Sequence, residues 1–319
     1  MDQLGLWGLI VPEEYGGGGL DMLTSCLIEI ELGKTFIPLE MGDVPPLLFA
    51  CVGEQVTRFL EPALTGDRRT IIAVREPKLL RPEDWKTMAV PNGDGFILNG
   101  YKALTMLPDP VDFFIIFAKA PAGLTAFLLD INHPGLSVDT DKEIILAIQD
   151  CFCERDSVLG EPGGALELGV GDAPRAWIRI GARYVGIVER LIEMSVEYAK
   201  DWVTYGAPLA TRPAIQRSLA EMRIEVESAR WLIYHAAWLA DMNNDGSIRD
   251  SAAQVRLTTG EMLKRAVDHV TMIYAGPGPS PQIEPHRLVQ NLVPSEVLEL
   301  ALEHARAIIA TGMLNLSEV

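Results

Sequence analysis

Three textures of hydrophobic and polar spacing follow one another along the chain. In residues 20–34, "LDMLTSCLIEIELGK", Leu23, Leu27 and Ile30 recur at helical spacing and the run ends at Gly33. A second helical stretch, "VGEQVTRFLEPALTG" (52–66), is closed by Pro62 and Gly66. From about Arg68 to Gly160 the apolar runs shorten to strand length, in "TIIAV", "FILNGYKAL", "DFFIIFAK", "LTAFLLD" and "LSVD". Turn chemistry separates them, in "PNGDG", "LPDP", "APAG" and "NHPG". Strands at this spacing predict an antiparallel barrel or sandwich.

Beyond about Ala165 the helical period returns over four long segments, 177–203, 214–242, 250–276 and 295–312. In the second, Leu219, Met222, Val226, Ala229, Ile233 and Ala236 share one face. Four long helices with short connections predict a bundle. The pattern therefore predicts a multidomain α+β chain: a helical region over 1–67, a β domain over 68–164 and a helical bundle over 165–319.

Composition removes several classes of function. The chain of 319 residues carries a net charge of -17 and a pI of about 4.7. Such a surface repels phosphate backbones and anionic lipid, which argues against nucleic-acid partners. No uncharged run reaches the roughly 18 residues of a membrane span, and the N-terminus lacks the basic region of a signal peptide. Cys26, Cys51, Cys151 and Cys153 read as reduced thiols of a cytoplasmic protein. Cys-Phe-Cys at 151–153 points two thiols the same way along a strand, but at neither zinc nor common redox spacing. The five histidines show no metal-ligand pairing.

Specific stretches go further. "LGLWGLIVPEEYGGGGLDMLTSCLIEIELGK" (4–34), "EPKLLRPEDWKTMAVPNGDGFILNGYKAL" (76–104) and "RIGARYVGIVERLIEMSVEYAKDWVTYGAPLATRPAIQRSLAEM" (179–222) resemble segments of the acyl-CoA dehydrogenase family. The resemblance implies an N-terminal helical domain, a middle β domain and a C-terminal four-helix bundle. It also implies FAD between β domain and bundle, an acyl-CoA thioester as substrate, and α,β-desaturation. In that chemistry a glutamate removes the α proton while a hydride passes to the flavin. Against the family pattern the N-terminal helical domain reads as shortened, because the "LGL" segment already begins at Leu4.

Other positions depart from the family. Where it has "TEPxxGSD" against the flavin, this chain has "REPKLLRPED", so Arg75, following Val74, replaces a hydroxyl. The "WIT" wall corresponds to Leu104, Thr105 and Met106, the arginine of "ERKxFG" to Trp202, and its aromatic to Tyr205. The "QxxGG" at the adenine end becomes Met272 to Gly276. Val74, Arg75, Thr105 and Tyr205 are thus the remaining cofactor candidates. A nanomolar cofactor needs about 12 kcal/mol, and each charged hydrogen bond supplies roughly 1.5–3 kcal/mol. Losing several predicts weak FAD binding by the chain alone.

The catalytic base has two registers. Counting without gaps from Arg287 places it on Glu299; matching "SEI" to Ser295-Glu296-Val297 places it on Leu292, which accepts no proton. Pro294-Ser295 starts a helix with Ser295 as N-cap. Leu298, Ala301, Leu302, Ala305, Ile308 and Ile309 then form one face, and Glu296, Glu299 and Glu303 the solvated one. Arg175, Arg179 and Arg183, at intervals of four, are candidates for CoA phosphates or a partner subunit, or form a basic face pairing with acidic neighbours. "AGPGPSP" (275–281) replaces a family loop and reads as interface, and Trp231 and Trp238 as core or subunit contact.

The resemblance leads to a degenerate subunit paired with a second, catalytic acyl-CoA dehydrogenase subunit in fatty-acid or steroid β-oxidation. The assembly would be a dimer of heterodimers, or a homo-oligomer. The alternatives are a self-sufficient FAD-dependent dehydrogenase using Glu299 and a non-catalytic scaffold.

Overall fold

The computed structural model of the chain describes residues 7–35, 44–77, 84–104, 110–140, 144–165, 168, 173–242, 245–274 and 295–314. These pack as two compact units, one of residues 1–19 and 40–172, the other of 20–39 and 173–319. The three textures of the sequence thus become two packing groups, with the N-terminal third divided between them.

The first unit is built on an eight-stranded sheet. Its strands are β1 (Thr70–Ala73), β2 (Met88–Asn92), β3 (Gly95–Leu104), β4 (Phe113–Ala120), β5 (Gly123–Asp130), β6 (Leu136–Asp139), β7 (Ile144–Glu154) and β8 (Val158–Leu159). The order is β6-β7-β3-β2-β4-β5-β8, with β1 added beside β4. The sandwich holds and the barrel does not: β6 and β8 end the order without pairing to each other. Nor is the sheet wholly antiparallel, since β4 runs parallel to β1 and to β2. The β2–β3 hairpin lies between β1 and β4 in the chain, so β4 returns in the direction of β1. β2 contains Pro91 and ends in what the sequence presents as turn residues.

The continuous apolar run of β4 follows from its position. Phe113, Ile115 and Phe117 point into one core with Leu47, Leu48, Phe59 and Leu60 of the N-terminal segment. Phe114, Ile116 and Ala118 point into the other with Leu98, Leu146, Ile148, Cys151 and Cys153. A strand buried on both faces has no reason to alternate. Each buried Phe contributes about 1.5–3 kcal/mol.

The second unit is helical: α1 (Met22–Gly33), α3 (Ala173–Asp201), α4 (Pro213–Asp241), α5 (Asp245–Tyr274) and α6 (Ser295–Leu314). The short α2 (Glu61–Thr65) belongs to the first unit. The face expected on α4 is the buried one, with Met222, Val226, Ala229, Ile233 and Ala236 inaccessible and Leu219 half-buried. On α6, Leu302 and Ala305 are buried as the pattern requires.

The start of α1 is held by two carboxylates. Asp21 accepts from Thr24 N at 2.6 Å, and Asp241, at the end of α4, accepts from Met22 N at 2.6 Å and Leu23 N at 3.1 Å. These are the first-turn donors that a helix cannot satisfy internally. Hydrogen bonding from Thr24 holds the Asp21 carboxyl below its usual value. Asp241→Ala is therefore expected to cost about 1 kcal/mol, measured as a lower urea midpoint at unchanged m-value; no change would mean that water replaces the cap.

Candidate functional site

In the first unit the candidate strip is Val74-Arg75-Glu76, which leaves β1 and passes beside the end of β3. Arg75 O accepts from Ala103 N at 2.9 Å, which pins the strip to that strand. The Arg75 side chain is half-buried, and its Nε has no hydrogen-bond partner among the described residues. Lys102 supplies a second tie: its ammonium donates to Val74 O at 3.0 Å and to Glu76 Oε1 at 3.1 Å. Glu76 also accepts from Lys86 N at 2.6 Å and Thr87 N at 2.8 Å. Lys102 lies 4.7 Å from the centre of the Trp85 ring.

The Lys102–Glu76 pair is almost completely buried, at 0% and 4% side-chain exposure. Burial pushes Lys102 down to about 8, further than the attraction of Glu76 restores. Burial raises Glu76, but the bonds from Lys86 and Thr87 and the charge of Lys102 outweigh it and hold the carboxyl below its usual value. This node was not singled out from the sequence. A signal for it exists: Leu98, Gly100, Lys102 and Leu104 alternate on one side of β3, so a lysine occupies an inward position.

Thr105 and Met106 of the matched wall lie outside the described residues, as do Lys78 to Arg81 and the 275–281 loop. Tyr205 closes the hairpin between β9 (Val203–Thr204) and β10 (Ala207–Pro208). It is fully exposed and holds a left-handed backbone, φ 50°. Trp202 stacks on Tyr198, which stacks on Tyr274.

Arg175, Arg179 and Arg183 of α3 are placed differently from one another. Arg183 donates to Glu29 Oε2 at 2.6 Å and ties α3 to α1. Arg175 reaches Ala240 O at 3.4 Å, at the end of α4. Arg179 acts electrostatically on the Cys26 thiol, which burial nonetheless pushes up to about 12. Trp231 and Trp238 are both exposed, so they are not core residues within this chain.

Residue 299 lies within α6, which begins at Ser295 itself rather than after it. The side chains of Glu296 and Glu299 lie outside the described residues, as does Leu292. Glu303 is exposed and pairs with Arg306 at 2.7 Å. Among the described residues no group of three or more His, Cys, Asp or Glu side chains is placed to hold a metal ion. No described helix is long and apolar enough to cross a membrane.

Comparison with known proteins agrees with this architecture. The profile for "Acyl-CoA dehydrogenase, N-terminal domain" matches residues 1–67, and that for "Acyl-CoA dehydrogenase, C-terminal domain" matches 176–314. Human mitochondrial short-chain specific acyl-CoA dehydrogenase is 29% identical over 98% of this chain and 81% of its own length. The butyryl-CoA dehydrogenase of Megasphaera elsdenii superposes with a TM-score of 0.84 at 25% identity, covering 98% of this chain and 89% of that one. An acyl-CoA dehydrogenase from Bacillus anthracis, solved with FAD, superposes at 0.87 and 24% identity, over 98% of this chain and 61% of that one.

Proposed function

Because the chain belongs to the acyl-CoA dehydrogenase family of FAD oxidoreductases, we propose that it is the partner subunit of a hetero-oligomeric acyl-CoA dehydrogenase. In this reading a second, catalytic chain supplies the glutamate base, and this chain completes the complex around an acyl-CoA thioester. FAD, when bound, would supply the hydride acceptor. The names of the human and Megasphaera relatives support an acyl-CoA as the substrate class.

The observation that carries the reading is Arg75. It stands where the family pattern has a hydroxyl against the flavin, and it brings a long cationic side chain instead. The neighbouring acceptors are already used: Val74 O takes the Lys102 ammonium and Arg75 O takes Ala103 N. Tyr205 stands fully exposed, with no packing among the described residues to fix its ring. A surface left to be completed by another subunit is consistent with all three features.

The visible absorption spectrum tests the reading. The chain purified alone is expected to be colourless, and a complex with a second, complete acyl-CoA dehydrogenase is expected to be yellow. A stoichiometric flavin band in the lone chain, with turnover abolished by Glu299→Gln, would replace this reading with the self-sufficient enzyme. Absence of flavin and of any dehydrogenase partner would favour a scaffold.

A further inference from the structure

The four cysteines are all buried, but two of them stand in surroundings unlike the others. Cys151 and Cys153 lie two apart on β7, opposite Leu98 and Phe96 of β3. Their side chains point to the same face, with the sulfurs 4.0 Å apart. The third member of the group is His133, from the loop between β5 and β6, with Nδ1 3.3 Å from Cys151 Sγ.

Local backbone geometry makes this meeting possible. Asp150 adopts φ 44°, and the β3–β7 register shifts between Leu98 and Gly100. The bulge is held by Asn99, whose Oδ1 accepts from Asp150 N at 2.8 Å. Gly135, at φ 87°, brings the loop onto β7, and Gln149 N donates to Gly135 O at 2.8 Å. A Cβ on Gly135 would stand 2.5 Å from Gln149 O and 2.9 Å from Cys151 Cα. Only glycine allows an approach this close, and the approach carries His133 to the sulfur.

The protons can be placed by chemistry. His133 Nδ1 also lies 2.9 Å from Pro134 O. A carbonyl oxygen only accepts, so Nδ1 carries a hydrogen whose nearer acceptor is Pro134 O; Cys151 Sγ, at 3.3 Å, shares that one hydrogen. The Cys153 S–H has two acceptors within reach, Cys151 O at 3.7 Å and Cys151 Sγ at 4.0 Å. Cys151 Sγ therefore lies beside an imidazole N–H and a second thiol, neighbours that stabilise a thiolate when their hydrogens turn to it. We propose that Cys151 is a reactive thiolate and Cys153 its resolving thiol, forming a reversible disulfide when the chain meets a hydroperoxide.

The electrostatics agree with that division of roles. The contact with Cys153, opposed by burial and aided by His133, brings Cys151 down to about 7. Cys153 is pushed the other way by the contact with Cys151 and by burial. Among the described residues Cys26 and Cys51 have no such neighbours, and burial drives both up to about 12. His133 is half-exposed and forms part of the wall of a groove of about 1170 Å³ with Arg58, Asp130, Gln149 and Glu161. Cys151 lies fully buried behind His133 and does not itself line the groove, so the proposal requires the imidazole to move aside for a hydroperoxide to reach the sulfur.

The chemistry balances in two steps. The Cys151 thiolate attacks one peroxide oxygen; the S–O bond forms, the O–O bond breaks, and the departing hydroxide takes up the proton that Cys151 released. Cys153 then attacks the sulfenic sulfur; the S–S bond forms, the S–O bond breaks, and water leaves with the Cys153 proton. Two thiols and one hydrogen peroxide give one disulfide and two waters; an organic hydroperoxide gives an alcohol in place of the first water. The sulfurs must approach by about 2 Å to reach bonding distance.

The test uses the full chain treated with hydrogen peroxide, unfolded in iodoacetamide and mapped by mass spectrometry. The peptide holding Cys151 and Cys153 is expected to lose two hydrogens and to recover them with dithiothreitol, while Cys26 and Cys51 remain alkylatable. His133→Gln is expected to slow the loss about tenfold, the factor for one pKa unit. In Cys153→Ser, dimedone is expected to trap a sulfenic acid on Cys151. Oxidation of Cys151 no faster than that of Cys26 and Cys51 would overturn the proposal, as would an unchanged rate in a folded His133→Gln chain.

Discussion

Replacing Glu76 by alanine is expected to destabilise the β-sheet unit by about 3–5 kcal/mol, the cost of leaving a buried charge without its partner. Three donors lose their acceptor at once: the Lys102 ammonium, Lys86 N and Thr87 N. Removing the lysine as well tests the origin of the loss. Glu76→Gln with Lys102→Met keeps an oxygen for the backbone donors and takes away the charge, so the double variant should stand much nearer the parent than Glu76→Ala does. Urea unfolding followed by circular dichroism reads both. Equal losses in the two variants would mean that the backbone bonds matter and the ion pair does not.

The same node has a pH signature. Lys102 is depressed to about 8 in the folded chain. Between that value and the ordinary lysine range, the unfolded chain holds a proton that the folded chain has released. Lys102 therefore makes stability rise with pH through this window, and its penalty is fully present below it. Glu76, held low, contributes stability at neutral pH that is lost as the pH falls below the ordinary carboxylate range. The Lys102→Met chain should lack the alkaline component.

Gly186→Val is expected to cost about 3 kcal/mol, the upper end for overpacking, because the crowded atoms are backbone on both sides. A Cβ at Gly186 would lie 1.9 Å from Ile30 O, and one at Gly33 would lie 2.3 Å from Arg183 O. Helices α1 and α3 thus touch main chain to main chain. Around the contact, Arg183 pairs with Glu29 and Lys34 with Glu189 at 3.3 Å, while Glu189 also binds Arg230. A β-branched side chain there forces α1 away from α3. Cys26 on α1 is fully buried, so alkylation of the native variant should proceed at Cys26 when the parent resists it. Parent-like urea midpoints and a protected Cys26 would show that the helices part without cost.

Much of the architecture is legible in residue spacing. A helix face or a strand run depends on neighbours a few residues away, and these periods survive without knowledge of the partner surface. That is why the α4 stripe from Met222 to Ala236 and the apolar run of β4 can be read directly. β2 escaped because Pro91 and Asn92 read as turn residues. Pro91 is tolerated there only because of where β2 pairs, which is not a local property.

The family segments also lie in the sequence, since "VPEEYGG" and its companions need no coordinates to be seen. Which chemistry-bearing groups meet is another matter. Lys102 and Glu76 are 26 residues apart, Cys151 and His133 are 18 apart, and Gly186 meets Ile30 from a distant helix. Spacing along the chain carries no information about such pairs, because loop closure over these lengths is compatible with many partners. The sequence by itself determined the periodic elements, their order and the residues that depart from the family pattern. Only the tertiary structure decided which charges are buried together, which glycines hold two backbones in contact, and which thiol lies beside both an imidazole and a second thiol.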